Sequence, residues 1–570
     1  MSKRFLEYGL LALFLCGVFC FWSMVFPGHL SIWYWSNFFS TEGSFFLEYL
    51  EEKDLLMYVS NFLVLFFKWT YSGALLMASS LLAVSLLCRK LLKKLRFSPS
   101  TYALALMPAV LLFVFQANRL FIFRRTLFVI FLLIFVYTYI SKIEKVKVHS
   151  VIAVLLFFVS FWFFNNVELV YFYAVCCVVE LLLSKSKTKY IFSAIALSLA
   201  TYFFIDFLAV MDSTPEFKNP FAFQLLFFPL FIALLIVFSR FSFVQTAKHD
   251  FIWIIASLLF SGLFYFSFFD REKDAQLYEN LFCYNKLLLS EDYDEMLKLG
   301  ESEKKRTTEL FPFVVYAHAK KGDLPDHLFD YPIDSKTIFL PKALPASSVQ
   351  TSTLGIFFNH DLGFVNESIH QTFLMSTSHS NGETLFAMRY LSQFQVEKND
   401  SLLAEKYLEK LDRTIVNRKV VEVLRNQLKQ SSKEEIIYHD SLLHINSQQE
   451  NNLRIAYLSN PENVFVRDVF FCSLLQRREY NMFCAFCAEY IKENQVLPVL
   501  YQEALLMAQE MGISSLSDRR FFISDEVRRN WQEFASIFNN PTDYRRKELQ
   551  LRKYRRTWWY YCMMSNETLN

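Results

Sequence analysis

Apolar positions run almost without interruption through the first half of the chain and give way at Asp270 to a polar, charged stretch that continues to Asn570. Before that break, runs such as Leu10–Phe26, Leu127–Ile140 and Phe221–Phe238 carry almost no charge. A helix that crosses a bilayer needs about 20 predominantly apolar residues. Segments of that kind recur at roughly 8–26, 70–88, 101–117, 124–140, 148–164, 167–183, 190–210, 221–238 and 251–269, which is about nine spans. The fifth and sixth are short and separated only by Asn165-Asn166. They read either as a tight hairpin of two spans or as one long broken element. Between the first and second spans lies a long loop, 27–69, with the aromatic cluster Trp33, Tyr34, Trp35 and the apolar stretch Leu55–Phe67. Thirteen apolar residues are too few to span, so this stretch is expected to lie in the interface or re-enter the membrane.

After Asp270 the periodicity becomes that of amphipathic helices. Tyr293, Met296 and Leu297 fall on one helical face, as do Leu402, Tyr407, Leu408 and Leu411. Lys321-Gly322-Asp323, Asn381-Gly382 and Asn460-Pro461 punctuate these runs. This rhythm predicts paired antiparallel helices with a turn at Leu458–Asn463. The expected fold is therefore all-α: a polytopic transmembrane bundle over 1–269, then an α-solenoid-like, tetratricopeptide-like soluble domain over 270–570.

Composition sharpens this picture. Hydrophobic residues make up 54% of the chain and Phe alone supplies 65 positions. The formal net charge of +3 is too small for this length to indicate a nucleic-acid partner. The placement of the cations carries more. Lys3 and Arg4, the Arg89–Arg96 cluster, Lys142, Lys145 and Lys147, Lys185, Lys187 and Lys189, and Arg240 and Lys248 all fall on one side of the expected spans. The other side holds Lys53, Lys68, Arg119, Arg124, Arg125 and Lys218. The positive-inside rule then places the N-terminus in the cytoplasm. An odd span count places the C-terminal domain in the periplasm of a bacterial inner membrane. Lys3 and Arg4 precede the first apolar run as in a signal peptide, but no small-residue cleavage site closes it, so it reads as a retained anchor.

The chemistry is sparse. Only 12 Gly occur, with no phosphate-binding loop, no HExxH and no GxSxG, so nucleotide hydrolysis is not expected. No cofactor is expected either. Cys484 and Cys487 stand at i, i+3 on an expected helix without a second ligand pair, which argues for packing over zinc, so no metal site is assigned. Arg119, Arg124 and Arg125 lie on the outer side against the charge bias, and arginine matches phosphate bidentately. They are candidate ligands for a lipid-linked phosphate; the alternative is snorkelling, or pairing with Glu168 or Asp212. Asp206 lies inside the seventh span and Glu180 near the inner end of the sixth, and an acid within the membrane is a functional candidate by default. The tail 544–560 mixes Arg with Trp558-Trp559, which suits either anionic headgroups or a final helix that caps the soluble domain.

Two stretches are similar to an uncharacterised family of multi-pass bacterial membrane proteins with a tetratricopeptide-like tail. One is His29-Leu30 with Phe62-Leu63, Phe66-Phe67 and Gly73-Ala74-Leu75; the other is Leu458–Asn463 with Leu497-Pro498 and Tyr501–Leu505. In that family an acid and a Gln follow the His-Leu pair, where this chain has Tyr34 and Trp35. The layout also resembles GT-C-type glycosyltransferases, which act on polyprenyl-phosphate donors and carry an acid early in the first outer loop. Residues 28–41 contain no Asp or Glu, and Glu42 is the first acid available. The glycosyltransferase likeness adds Glu42 to Asp206 as a catalytic candidate, and His29 joins Arg119, Arg124 and Arg125 as candidate substrate ligands. The expected role is in cell-envelope biogenesis on a polyprenyl-linked anion, with a membrane lipid as partner. The alternative is a non-enzymatic scaffold whose helical domain docks a protein. No motif assigns an enzyme class.

Overall fold

The computed structural model describes residues 3–213, 225–241, 275–302, 310–331, 349–377, 383–430, 449–512 and 521–564 and a few isolated positions between them. Within those ranges it leaves out 99–100, 102–103, 119–120, 144, 186–187, 493–494 and 541–543. All regular elements among the described residues are helices. The chain divides into two compact units. The first comprises Met1–Cys283 together with Glu383–Arg389 and Glu405–Asn426; the second comprises Tyr284–Gly382, Tyr390–Ala404 and Gln427–Asn570. The first unit thus runs on to Cys283, and two stretches of the polar half are grouped with the apolar one.

Three helices among the described residues are long and apolar enough to cross a membrane: Thr70–Lys94, Phe123–Ser141 and Asn166–Leu183. Leu11–Val25 and Pro27–Ser36 would make a fourth if taken as one span, but they meet at a bend of 74°. A proline at the first helical position cannot continue the preceding helix's hydrogen bonding, so Pro27 starts a new axis. Leu55–Lys68, Leu106–Gln116, Val148–Phe163, Lys189–Ile205 and Phe227–Phe238 are apolar helices of shorter length. The nine expected spans are therefore represented by three clear candidates and shorter pieces, and apart from Leu259 the expected span 251–269 lies outside the described residues. The apolar stretch of the first loop is a helix, Leu55–Val64, that tightens to a 3-10 turn over Leu65–Lys68.

Asn165-Asn166 closes a hairpin of two helices. Across it Ser160 meets Tyr173 (3.2 Å between hydroxyls), Phe157 packs against Phe172 and Tyr173, and His149 meets Glu180. The pairings run in opposite directions along the two chains, so Val146–Phe163 and Asn166–Leu183 are antiparallel. Asn165 caps the second helix in a reciprocal box: its side chain accepts from the Glu168 N–H at 3.0 Å while Glu168 accepts from the Asn165 N–H at 3.2 Å.

In the second unit, successive helices also alternate in direction. Phe471 and Phe470 of Val464–Gln476 meet Phe483 and Phe486 of Tyr480–Tyr490. Phe483 meets Tyr501 of Val499–Glu510, while the Tyr480 hydroxyl donates to the Ala504 carbonyl at 3.1 Å. Of the expected turn Leu458–Asn463, Leu458 and Ser459 end the helix Gln449–Ser459 and 460–463 form the turn to Val464–Gln476, which Asn463 caps. Trp558 and Trp559 of the tail are fully buried, and Trp559 Nε1 donates to the Glu503 carbonyl at 3.0 Å. The aromatic part of the tail therefore closes the core of this unit. Cys484 and Cys487 are buried and unpaired.

Candidate functional site

Two groups of buried ionic contacts in the first unit involve the three helices Phe123–Ser141, Val146–Phe163 and Asn166–Leu183. Asn166–Leu183 contributes Glu168 in its first turn and Glu180 near its last, and both carboxylates are buried. Each meets partners from the neighbouring helices at its own level, so the trio is tied by polar contacts at both ends.

At one end Arg124 binds two acids. Its Nε lies 2.8 Å from both carboxylate oxygens of Asp54, and its Nη atoms form a forked pair with Glu168 at 2.6 and 3.0 Å. The guanidinium is almost wholly buried, as is Glu168, while Asp54 keeps about a quarter of its exposure. Asp54 reaches this position because it also caps Leu55–Val64, accepting from the Met57 N–H at 3.1 Å. One carboxylate thus fixes the start of the first-loop helix and one edge of the arginine. A planar fork is the geometry that suits bidentate carboxylate binding, and burial leaves such an ion no substitute in water.

At the other end His149 Nε2 stands 2.5 Å from Glu180 Oε1, and the Tyr139 hydroxyl donates to the same oxygen at 2.8 Å. Tyr139 comes from the last turn of its helix and His149 from the first turn of the next, so the connection between them is clamped onto Glu180. Glu180 Oε2 and His149 Nδ1 are buried without a hydrogen-bond partner among the described residues. This end is the less satisfied of the two, and burial of such atoms is costly.

A third buried pair joins the bent N-terminal element to a distant helix. His29 Nδ1 lies 2.5 Å from Glu279 Oε2, and the Gly28 N–H donates to Glu279 Oε1 at 2.6 Å. A helix N-terminus offers free N–H groups and a partial positive charge, and here the chain supplies the anion itself. Gly28 is required: a Cβ there would stand 2.7 Å from Phe282 Cβ and 2.8 Å from the Cys283 nitrogen.

The residues singled out from the sequence are thus dispersed. Arg124 is paired with Asp54 and Glu168, the second of which the sequence had offered as its alternative partner. Arg125, next to it and of intermediate exposure, sits 5.9 Å from the Phe121 ring centre. His29 is bound to Glu279, which sequence reasoning missed because 250 residues separate them. Glu42 precedes the helix Gly43–Glu51 and pairs with Arg413 at 2.8 Å. Asp206 lies on the helix Lys189–Ser213, with its side chain outside the described residues, and Arg119 lies outside them altogether.

No curated protein and no solved structure matches the chain. One family model does, over residues 2–565, which is nearly the whole sequence: the chain belongs to the family of unknown function DUF6057.

Proposed function

We propose that the protein is a membrane scaffold, with the apolar helices of the first unit in a bilayer and the helical second unit docking a partner protein. The observation that carries this reading is the Arg124 clamp. Arg124, one of the three arginines expected to bind phosphate, instead has both edges of its guanidinium closed on Asp54 and Glu168. Its chemistry is that of a strut between helices. Stacked antiparallel helices, as in an α-solenoid, present the extended surface a docking role needs. Glu42, the acid a glycosyl-transfer reading requires in the first loop, is engaged with Arg413.

A second reading has the protein handling a polyprenyl-linked anion in cell-envelope biogenesis. It is favoured by Arg125, which lies beside the clamp and is not wholly buried. The two readings separate on purified protein in detergent. Under the scaffold reading, Arg124→Lys lowers the melting temperature and neither Arg124→Lys nor Arg125→Lys changes the polyprenyl phosphate retained. Loss of stoichiometric lipid from Arg125→Lys with unchanged melting would favour the second reading and sink the first. For topology, a reporter fused after Asn570 should be active only in the periplasm; activity in the cytoplasm would move the second unit to the other face.

A further inference from the structure

A corner of the second unit brings together the donor set of a metal site. His318 lies in the last turn of Phe311–Lys321, Asp323 just precedes the short helix Leu324–His327, and His327 ends it. The turn between them is made by Gly322, whose φ of 75° is the left-handed conformation that ends a helix. One ligand atom from each of His318, Asp323 and His327 lies within 4.8 Å of the others. His318 Nδ1 is 2.8 Å from Asp323 Oδ1, and His327 Nε2 is 3.9 Å from Asp323 Oδ2. The two imidazoles stack at 4.8 Å with their planes 20° apart.

The far side of each ring is the more telling part. His318 Nε2 meets the Tyr331 hydroxyl at 3.1 Å, and His327 Nδ1 meets Asp330 Oδ2 at 2.9 Å. Asp330 is in turn held by Arg556 at 2.9 Å. Each imidazole therefore has one nitrogen anchored and the other turned toward Asp323. A metal-bound histidine is commonly arranged this way: the second nitrogen donates to a carboxylate or other oxygen, which fixes the ring and raises the basicity of the ligating nitrogen. A hydrogen-bonded surface cluster has no need to orient both rings from behind.

We infer that His318 Nδ1, Asp323 and His327 Nε2 form a binding site for a divalent transition-metal ion, zinc above all, with Tyr331 and Asp330 as the outer support. Two nitrogens and one carboxylate suit zinc, with bonds of about 2.0–2.2 Å and a fourth position left for water or a further ligand. Binding draws the three donors inward, with the His318 proton carried on Nε2 toward the Tyr331 hydroxyl so that Nδ1 is free to ligate the ion. This site is independent of the Arg124 clamp and of the docking role.

The test uses the full-length, tag-free protein in detergent, stripped with a chelator and titrated with Co²⁺ and then Zn²⁺. The wild type should take up one equivalent more of Co²⁺ than His327→Gln does, with visible d–d bands that Zn²⁺ abolishes. His327 is partly exposed, so that variant keeps the fold, and its melting curve without metal should overlay the wild type. Tyr331→Phe, which removes no ligating atom and only the hydroxyl behind His318, should retain the bands and weaken binding about tenfold or more. Zn²⁺ should raise the melting temperature of the wild type and leave that of His327→Gln unchanged. Equal uptake by wild type and His327→Gln, or no uptake by the wild type, overturns the site.

Discussion

His149 and Glu180 are buried against each other at 2.5 Å, at the level where two helix ends and a helix beginning converge. Tyr139 completes the group, so a single carboxylate oxygen holds the connection from Phe123–Ser141 to Val146–Phe163 in place. Removing the carboxylate strands two donors. Glu180→Leu is expected to destabilise the protein by roughly 1–3 kcal/mol, and Glu180→Gln by less because its carbonyl still accepts from Tyr139. Replacing both partners, as in His149→Phe with Glu180→Leu, should recover much of the loss, since an apolar pair carries no unmet polar group. Thermal melts of the four proteins in detergent give the coupling directly; additive single effects would show that the contact is not formed.

The capping box at Asn165 gives a second, smaller effect. Asn165→Ala removes the acceptor for the Glu168 N–H and loosens the carboxylate that Arg124 binds. A cost of about 1 kcal/mol is expected for the cap alone, and a larger drop in melting temperature would show that the cap and the Arg124 clamp act together.

Two glycines should fail for different reasons. Gly28→Ala meets Phe282 and the Cys283 backbone at under 3 Å, so one of the packed elements must move. The expected cost is about 1–3 kcal/mol, with partial loss of the His29–Glu279 pair. Gly322→Ala has open space around its new methyl, and its cost comes only from the left-handed backbone, about 1 kcal/mol. Equal destabilisation by the two substitutions would contradict this assignment.

The second unit should lose stability above neutral pH. Burial lowers the affinity of His360 for a proton, but hydrogen bonds to Asp361 and Glu397 outweigh it and hold the imidazolium up to about 9. Burial pushes the Glu503 carboxyl up to about 8, against the hydrogen bond it accepts from the Trp558 N–H. Both groups bind a proton more tightly in the folded state than in the unfolded chain. Their contributions are therefore fully present below the unfolded values, about 6.5 for His and 4.3 for Glu, and are lost as the pH rises through about 9 and about 8. Between pH 7 and 9.5 the loss is on the order of 2 kcal/mol for each group at most. Glu503→Gln should match the wild type only near pH 4, exceed its stability at pH 7, and exceed it by a wider margin at pH 9. His360→Gln should be the less stable at pH 7 and close the gap at pH 9.5. Melts from pH 4 to 9.5 in which the Glu503→Gln margin does not widen and the His360→Gln gap does not close would rule out both assignments.

The helical class was legible because amphipathic period and apolar run length are local properties. The turn at Leu458–Asn463, the break at Asn165-Asn166 and Glu168 as an alternative partner for Arg124 all followed from short-range signals and charge. Contacts over long sequence distances were not legible. Glu279 meets His29 and Arg413 meets Glu42 only after hundreds of intervening residues have folded. The stretches Glu383–Arg389 and Glu405–Asn426 join the apolar unit through pairings such as Leu385 N–H to the Asn37 carbonyl, which no periodicity announces. The His318, Asp323 and His327 set escaped notice for a related reason. Its spacing straddles a helix end, and only the left-handed turn at Gly322 folds it into one cluster.

The Arg124 clamp also imposes an order in time. An emerging chain makes Asp54 first, Arg124 some 70 residues later and Glu168 another 44 after that. Arg124 therefore has a counter-ion waiting when its helix forms, and the pair is neutral as a unit. Glu168 then arrives on the second arm of a hairpin, with its own backbone cap already formed, and finds a half-satisfied guanidinium to accept it. No buried charge need stand alone at any stage of synthesis, and the last of the three to be made locks the other two.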